Sequence, residues 1–314
     1  MKYIKTTCPV CGSENGFTFL QKYKYDNPLF AAGSIVHCNN CEMIFVDPMP
    51  DKEALQKYNA GYFDNAHGGV NKDKLTSAFI SAVNLLRVIY VEHFNKEQNG
   101  SIRNILEIGP GGGQFAKHWL SRHDDIKGYT GVETDEVCYP NLKATGVKVF
   151  SSADELPVDQ NYDLVVISHV LEHTSHPAEF INACTKYLLP GGTLFIEVPC
   201  KDFEHKGSVE PHLLFFDKKP MNIFLARRGF EKIHTSYHGN TIKDLKAKPS
   251  LFNKLYSKWR NFLLYRNITF PFSIKEHGLE EVSDPLERAA VKPFKAHIEQ
   301  DEPSWWLRAI AIKK

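Results

Sequence analysis

Residues 102–115 read IRNILEIGPGGGQF. The apolar run Ile105, Leu106 and Ile108 has strand length and is cut short by glycines at 109, 111 and 113, after which Gln114 and Phe115 open a helical pattern. Glycines at a strand-to-helix turn let the backbone approach a ligand closely. The spacing is not the G-x-G-x-x-G of a dinucleotide fingerprint, because Gln114 stands where the third glycine belongs. A ligand held close to this turn is therefore expected, without a pyrophosphate in particular.

Outward from that turn the chain alternates strand and helix over residues 102–240. The strand candidates are IRNILEI (102–108), YTGVE (129–133), VKVF (147–150), YDLVVIS (162–168), TLFIEV (193–198) and FEKIHTSY (230–237). Unbroken Val/Ile/Leu runs are the pattern of strands buried on both faces, and β-α alternation predicts a doubly wound, mostly parallel sheet. Glu133 closes the second strand, where a carboxylate can accept hydrogen bonds from both hydroxyls of a ribose. Upstream, Phe79, Val83, Leu86, Ile89, Tyr90 and Phe94 recur at helical spacing from Leu75 to about Glu97. Downstream, 240–303 breaks the rhythm and reads as a helical insertion before a closing strand, SWWLRAIAIKK. Its apolar residues between Lys243 and Arg266 are expected to bury one face and leave the lysines solvated. The functional alternative is a platform for a phosphorylated or polysaccharide acceptor.

The amino terminus has a different character. Cys8 and Cys11, then Cys38 and Cys41, form two C-x-x-C knuckles 26 residues apart among short β-rich runs. Four thiolates so spaced predict a structural zinc ribbon over 1–47, with no coordination position left open for catalysis. Glu42 stands where a glycine would be comfortable in the second knuckle. Cys138, Cys184 and Cys200 are expected in the core. Residues 48–74 form a connector ending in the tyrosine-rich loop NAGYFDNAHGG, and 75–314 the main domain.

Composition sets limits. The 314 residues carry 38 Lys and Arg against 37 Asp and Glu, a net charge of +1. Such a balance gives no support to a dominant nucleic-acid or anionic-membrane partner, although it allows a localised basic patch. No unbroken apolar run approaches the ~18 residues of a membrane span. The start, MKYIKTTCPV, lacks the apolar stretch of a signal peptide, so a cytoplasmic protein is expected.

The ordered succession LEIGPGGGQF, YTGVETD, SSADELP, YDLVVISHVLEH and LLPGGTLFIEVP resembles the class I S-adenosylmethionine-dependent methyltransferases over about residues 75–240. That resemblance implies an α/β, Rossmann-like sheet of seven strands whose last strand runs antiparallel. It also implies S-adenosyl-L-methionine as cofactor. Glu107, Gly109, Gly111 and Gly113 would surround its methionyl part and Glu133 its ribose. Ser152 and Ala153 would edge the adenine, with Ser152 where the family often has Asp, and Ser168 and His169 would close the pocket. The four-cysteine ribbon ahead of P-x-P-D-x-E-A-L-x-x-Y resembles bacterial sugar and small-molecule methyltransferases, the nucleotide-sugar C-methyltransferases among them, without their further C-terminal domain.

Methyl transfer needs alignment, exclusion of water, and a base when the acceptor is a hydroxyl or an acidic carbon. The segment EVPCKDFEHKGSVEPHLLFF should overhang the carboxyl ends of the strands. His212 within it is the expected base, Glu210 its orienting partner across Pro211, and His205 and Tyr62 the rivals. HVLEH (169–173) spells the inverted zinc-protease motif H-x-x-E-H, but it directly follows a buried strand. Glu172 and His173 are read as capping the helix and lining the pocket rim. The alternative is a divalent cation orienting the acceptor, as in ubiquinone-pathway O-methyltransferases, which have an acidic residue where His169 stands. A methyl transfer to O or C of a small acceptor, a sugar foremost, is the leading expectation. An RNA methyltransferase with a zinc recognition module and a non-catalytic binding module are the alternatives.

Overall fold

The computed structural model describes residues 7–61, 70–98, 100–158 and 160–314. Three antiparallel strands, β1 (Phe17–Lys22), β2 (Ser34–Cys38) and β3 (Ile44–Asp47), form the amino-terminal ribbon. The first knuckle turns through Gly12 at φ +76°, and the second through Glu42 at φ +66°. A side chain is thus held in the left-handed region where glycine would be unstrained.

Helix α1 (Lys52–Asn59) starts at Asp51, whose carboxylate accepts the Ala54 N–H at 3.0 Å. Helix α2 (Lys74–Glu97) is capped by Asp73 in the same way. By length and hydropathy α2 could cross a membrane, yet over half of its apolar window is buried in the protein. Its Arg87 and Glu92 also find partners inside, in Glu197 and Arg122. Those pairings are those of a core helix.

The main sheet then follows, interleaved with helices. Its elements are β4 (Asn104–Ile108), α3 (Gln114–Arg122), β5 (Gly128–Val132), α4 (Tyr139–Ala144), β6 (Lys148–Phe150), β7 (Tyr162–Ser168), α5 (Pro177–Thr185) and β8 (Leu188–Pro199). After a two-residue strand β9 (Leu214–Phe215) come α6 (Lys218–Ala226) and β10 (Phe230–Thr241). The insertion holds α7 (Ile242–Lys246), α8 (Leu251–Tyr265) and α9 (Pro285–Val291), followed by β11 (Glu299–Gln300) and β12 (Ser304–Lys313). The strand order is β11-β10-β12-β8-β7-β4-β5-β6. Strands β4 to β8 pair in parallel, and β12 lies antiparallel between β8 and β10. This is the expected α/β Rossmann-like sheet with its reversed last strand, extended by the short β11 at one edge. Cys138, Cys184 and Cys200 are buried.

Two features depart from the sequence reading. First, β9 leaves the main domain and joins the ribbon. Phe215 lies opposite Ile44 and Leu214 opposite Phe45, giving a four-stranded sheet β1-β2-β3-β9. A single apolar cluster runs from Phe45 in the ribbon to Ile196 in β8. Second, α8 does not bury the apolar face its periodicity predicts. Leu251, Phe252 and Trp259 are 74%, 75% and 53% exposed, and Leu264 is the one residue of the helix that is buried. The periodicity marks an amphipathic helix correctly, but residues 251–259 are exposed on all sides and the helix is seated only near its carboxyl end, at Leu264.

Candidate active site

The glycine turn sits at the carboxyl end of β4. Gly109, Gly111 and Gly113 all have positive φ, at +69°, +50° and +75°. At Gly109 a Cβ would stand 2.4 Å from Cγ2 of Val170, so any other residue here would strain the backbone and force Val170 to shift. The turn is tied to the next strand. Glu133, just past β5, accepts the Gly111 N–H on one carboxylate oxygen and the Asp135 N–H on the other, both at 2.9 Å. A carboxylate has about four acceptor sites, so Glu133 keeps capacity for two further donors. Burial raises its pKa.

Glu107, at the end of β4, is buried and accepts the Tyr129 hydroxyl at 2.6 Å. Burial pushes its carboxyl up to about 7. Past β6, Ser152 opens a short turn, its hydroxyl accepting the Asp154 N–H at 3.3 Å, with Ala153 next to it. At the end of β7 the Ser168 hydroxyl is buried with no partner among the described residues. These positions follow the carboxyl ends of β4, β5, β6 and β7 in turn, which is where open α/β sheets hold ligands.

His169 begins the other half. It has φ +56°, and its ring lies 3.2 Å from Glu197 and 3.5 Å from Glu172. Burial works against its charged form, but the two carboxylates outweigh it and raise its pKa. Glu197, in β8, is wholly buried between Arg87 and Arg308, which hold its carboxyl well below the usual range. HVLEH does not form a helix. Leu171–His173 is a single tight turn, which removes the geometry a protease motif needs.

The Glu172 carboxylate is buried, and neither oxygen has a hydrogen-bond partner among the described residues. Despite burial its pKa is lowered by His169, His173 and His212 around it. Glu172, His173 and His212 bring one ligand atom each within 4.8 Å of one another. The His173 and His212 rings meet edge to face at 4.9 Å. With Lys206, Ser208, Glu210 and Trp305 they line a cavity of about 210 Å³. A larger cleft of about 630 Å³, among Glu92, Ile102, Arg122 and Asp125, lies at the amino ends of the strands, away from the glycine turn.

The partner of His212 is Asp202, not Glu210. His212 Nδ1 is 2.7 Å from Asp202 Oδ2, which also receives Lys206 Nζ at 2.8 Å. Burial opposes its charge, but His212 and Lys206 hold the Asp202 carboxyl far below its ordinary value. With Nδ1–H donated to Asp202, the other ring nitrogen of His212 is the one that can accept a proton. Sequence reasoning missed Asp202, although it lies in the overhanging segment ten residues before His212.

Glu210 turns the opposite way. It accepts the backbone N–H groups of Asp26 and Asn27 at 2.7 and 3.1 Å and the Tyr58 hydroxyl at 2.7 Å. It therefore ties the ribbon and α1 to the loop carrying His212. Burial lowers the pKa of His205. Tyr62, the other rival for the base, lies outside the described residues.

The ribbon cysteines converge. Cys8 Sγ lies 3.5 Å from Cys41 Sγ, Cys11 Sγ lies 3.7 Å from Cys38 Sγ, and all four sulfurs fall within 4.8 Å of one another. Tetrahedral bonds of about 2.3 Å to one zinc ion space sulfurs by roughly 3.8 Å. These separations fit that geometry and are far from a disulfide's.

Residues 90–235 match a family described as a methyltransferase domain. Over 128 residues the chain is 31% identical to the ubiquinone biosynthesis O-methyltransferase of Vibrio atlanticus (strain LGP32), covering 39% of this chain and 53% of that one. Over 156 residues it is 28% identical to a probable S-adenosylmethionine-dependent methyltransferase of Mycolicibacterium smegmatis, covering 46% of this chain and 60% of that one. The chain thus spans between half and three-fifths of the length of these curated relatives. Among solved structures it aligns with a SAM-dependent methyltransferase of Thermotoga maritima, described as a possible histamine N-methyltransferase. The identity is 15% and the TM-score 0.47, over 84% of this chain and 99% of that one. The match over 90–235 spans the glycine turn, Glu133 and the His212 loop, so these parts of the site lie within the residues that match a methyltransferase domain.

Proposed function

We propose that the chain is a cytoplasmic S-adenosylmethionine-dependent methyltransferase acting at O or C of a small-molecule acceptor, a sugar foremost, with His212 as general base. The observation that carries this reading is the Gly109–Gly113 turn bonded through Gly111 to Glu133, inside a domain that matches methyltransferases. The cofactor supplies a methyl group already activated on a sulfonium. Glu133 would receive the ribose hydroxyls on its remaining acceptor sites. Glu107, ionised above pH ~7, faces the positive charge of the methionyl part. His212 would take the proton from the acceptor hydroxyl or acidic carbon when the methyl group passes to that atom and the sulfonium leaves as a neutral thioether. Asp202 fixes the imidazole tautomer and stabilises its charge. Curated relatives named for ubiquinone biosynthesis favour a small acceptor over RNA. The polar cavity wall of His173, Lys206, Ser208 and His212 suits a polyhydroxylated one.

The same proposal assigns structural zinc to Cys8, Cys11, Cys38 and Cys41. Metal analysis should then return one zinc per chain, and chelation should lower the melting temperature. A second reading rests on the buried Glu172 carboxylate among three histidines: a divalent cation on Glu172, His173 and His212 that orients the acceptor oxygen. It requires an additional metal ion per chain, and loss of turnover on mild chelation that magnesium restores.

The deciding experiment incubates the protein with methyl-labelled S-adenosylmethionine and cell extract split into nucleotide-sugar, glycan, other small-molecule, RNA and protein fractions. Label in a sugar-bearing fraction supports the reading. Label in RNA alone overturns the acceptor assignment, and failure to bind the cofactor overturns the class.

A further inference from the structure

Helix α8 exposes an apolar face that, among the described residues, only Phe272 touches, edge-on to Tyr256 and Trp259 at 6.3 and 5.7 Å. Residues 251–259 are exposed without interruption. Leu251, Leu255, Trp259 and Phe262 fall on one side of the helix by its 3.6-residue period, with Phe252 and Tyr256 at the margin. Phe252 stacks on Tyr256 at 6.5 Å and Tyr256 leans on Trp259 at 6.0 Å, so the aromatic rings form one outward surface. Ile268 and Phe270, just beyond the helix, are exposed as well.

The helix is nonetheless firmly seated at its carboxyl half. Tyr265 donates to Asp73 at 2.6 Å, Lys74 at the start of α2 reaches the Leu264 and Tyr265 carbonyls, and Arg260 donates to the Ala289 carbonyl. Leu264 packs with Phe272 and Ala289. The carboxyl half is thus held against the protein, and the amino half, with its aromatic residues, projects into the surroundings.

Charge identifies what this face meets. Between Leu245 and Lys275 the sequence has seven lysines and arginines and no aspartate or glutamate, so the rest of the chain is net acidic. We infer that α8 is an interfacial helix that docks the protein on an anionic lipid bilayer surface. Its Leu, Phe and Trp side chains enter the headgroup boundary, and Lys254, Lys258 and Arg266 stay with the phosphates. Trp and Tyr side chains favour that boundary, and lysines beside an apolar face can keep their ammonium groups in the wet layer. A second copy is a poorer occupant, because packing two such faces together would crowd lysines with no carboxylate to oppose them. The exposed leucines and isoleucine offer nothing to a nucleic acid. The inference goes beyond the methyl-transfer reading and does not depend on it.

Flotation of the full chain with vesicles tests it, comparing phosphatidylcholine alone with phosphatidylcholine containing a quarter phosphatidylglycerol. The protein is expected to float with the anionic vesicles only, more weakly as salt rises. Its tryptophan emission should shift to the blue, because Trp259 is exposed whereas Trp119 and Trp306 are buried. The double variant Phe252→Glu/Trp259→Glu should lose binding and the shift with its melting temperature unchanged. Lys254→Glu/Lys258→Glu should weaken binding by at least about fivefold for each lysine removed. The inference is overturned if the wild type floats with neither vesicle or equally with both. It is also overturned if the purified protein is a dimer that Phe252→Glu dissociates, since the face then belongs to a second copy.

Discussion

The two halves of the site are built by different means. The glycine-turn half is made of consecutive strand ends, and its contacts are short in sequence: Gly111 to Glu133, Glu133 to Asp135, Tyr129 to Glu107. The His212 half is assembled from distant pieces. Glu172, His212 and Trp305 reach one cavity from three segments, and the loop carrying His212 is held from outside by the ribbon. Backbone geometry dictates the first half, and tertiary packing the second. Val170 packs over Gly109, so the halves meet where a side chain on one would collide with the other.

This contrast makes the halves separable by mutation. His212→Ala should lower kcat by roughly 10²–10⁴-fold while leaving cofactor affinity unchanged. A comparable loss of cofactor affinity would show the halves are not distinct. Asp202→Asn keeps the shape but removes the charge that fixes the imidazole, and should cost about 10–100-fold in kcat. Activity like the wild type's would assign the His212 tautomer to some other group.

On the glycine-turn side the effect is on binding. Because burial pushes Glu107 up to about 7, it becomes neutral as pH falls below that point. Affinity for the cationic cofactor should then weaken by up to about tenfold per pH unit on the acid side. Glu107→Gln should flatten that profile, and a profile unaltered by the variant would remove Glu107 from the account. The smallest effect is expected at Glu210. Glu210→Ala should lower stability by about 1–2 kcal/mol through its lost bonds to the ribbon, read in a denaturant melt, with turnover changed only a few-fold. A loss as large as that of His212→Ala would return Glu210 to the chemistry.

Legibility followed the same division. The strand-turn-helix at 104–122 and the four convergent cysteines could be read from local pattern, because each depends on residues close together or on a fixed ligand spacing, whereas the reversed last strand came only through the family resemblance. Asp202 could not be paired with His212 from sequence, since an adjacent acid, Glu210, looked equally placed and only packing against the ribbon turns it away. The strand β9 was hidden inside HLLFF, whose apolar run is equally at home in any core. Net charge is an average in the same sense. A total of +1 conceals a cationic stretch around α8 balanced by acid elsewhere, and periodicity reports an apolar face without saying which way it points.

The central claim is that the Gly109–Gly113 turn cradles the cofactor. Calorimetric titration with S-adenosylhomocysteine, on the wild type and on Gly109→Val, tests it most directly. The account predicts saturable one-to-one binding by the wild type and a loss of at least about 100-fold in the variant, where a side chain would meet Val170 at a left-handed backbone position. Binding of equal strength in a folded variant, or none in the wild type, would contradict it.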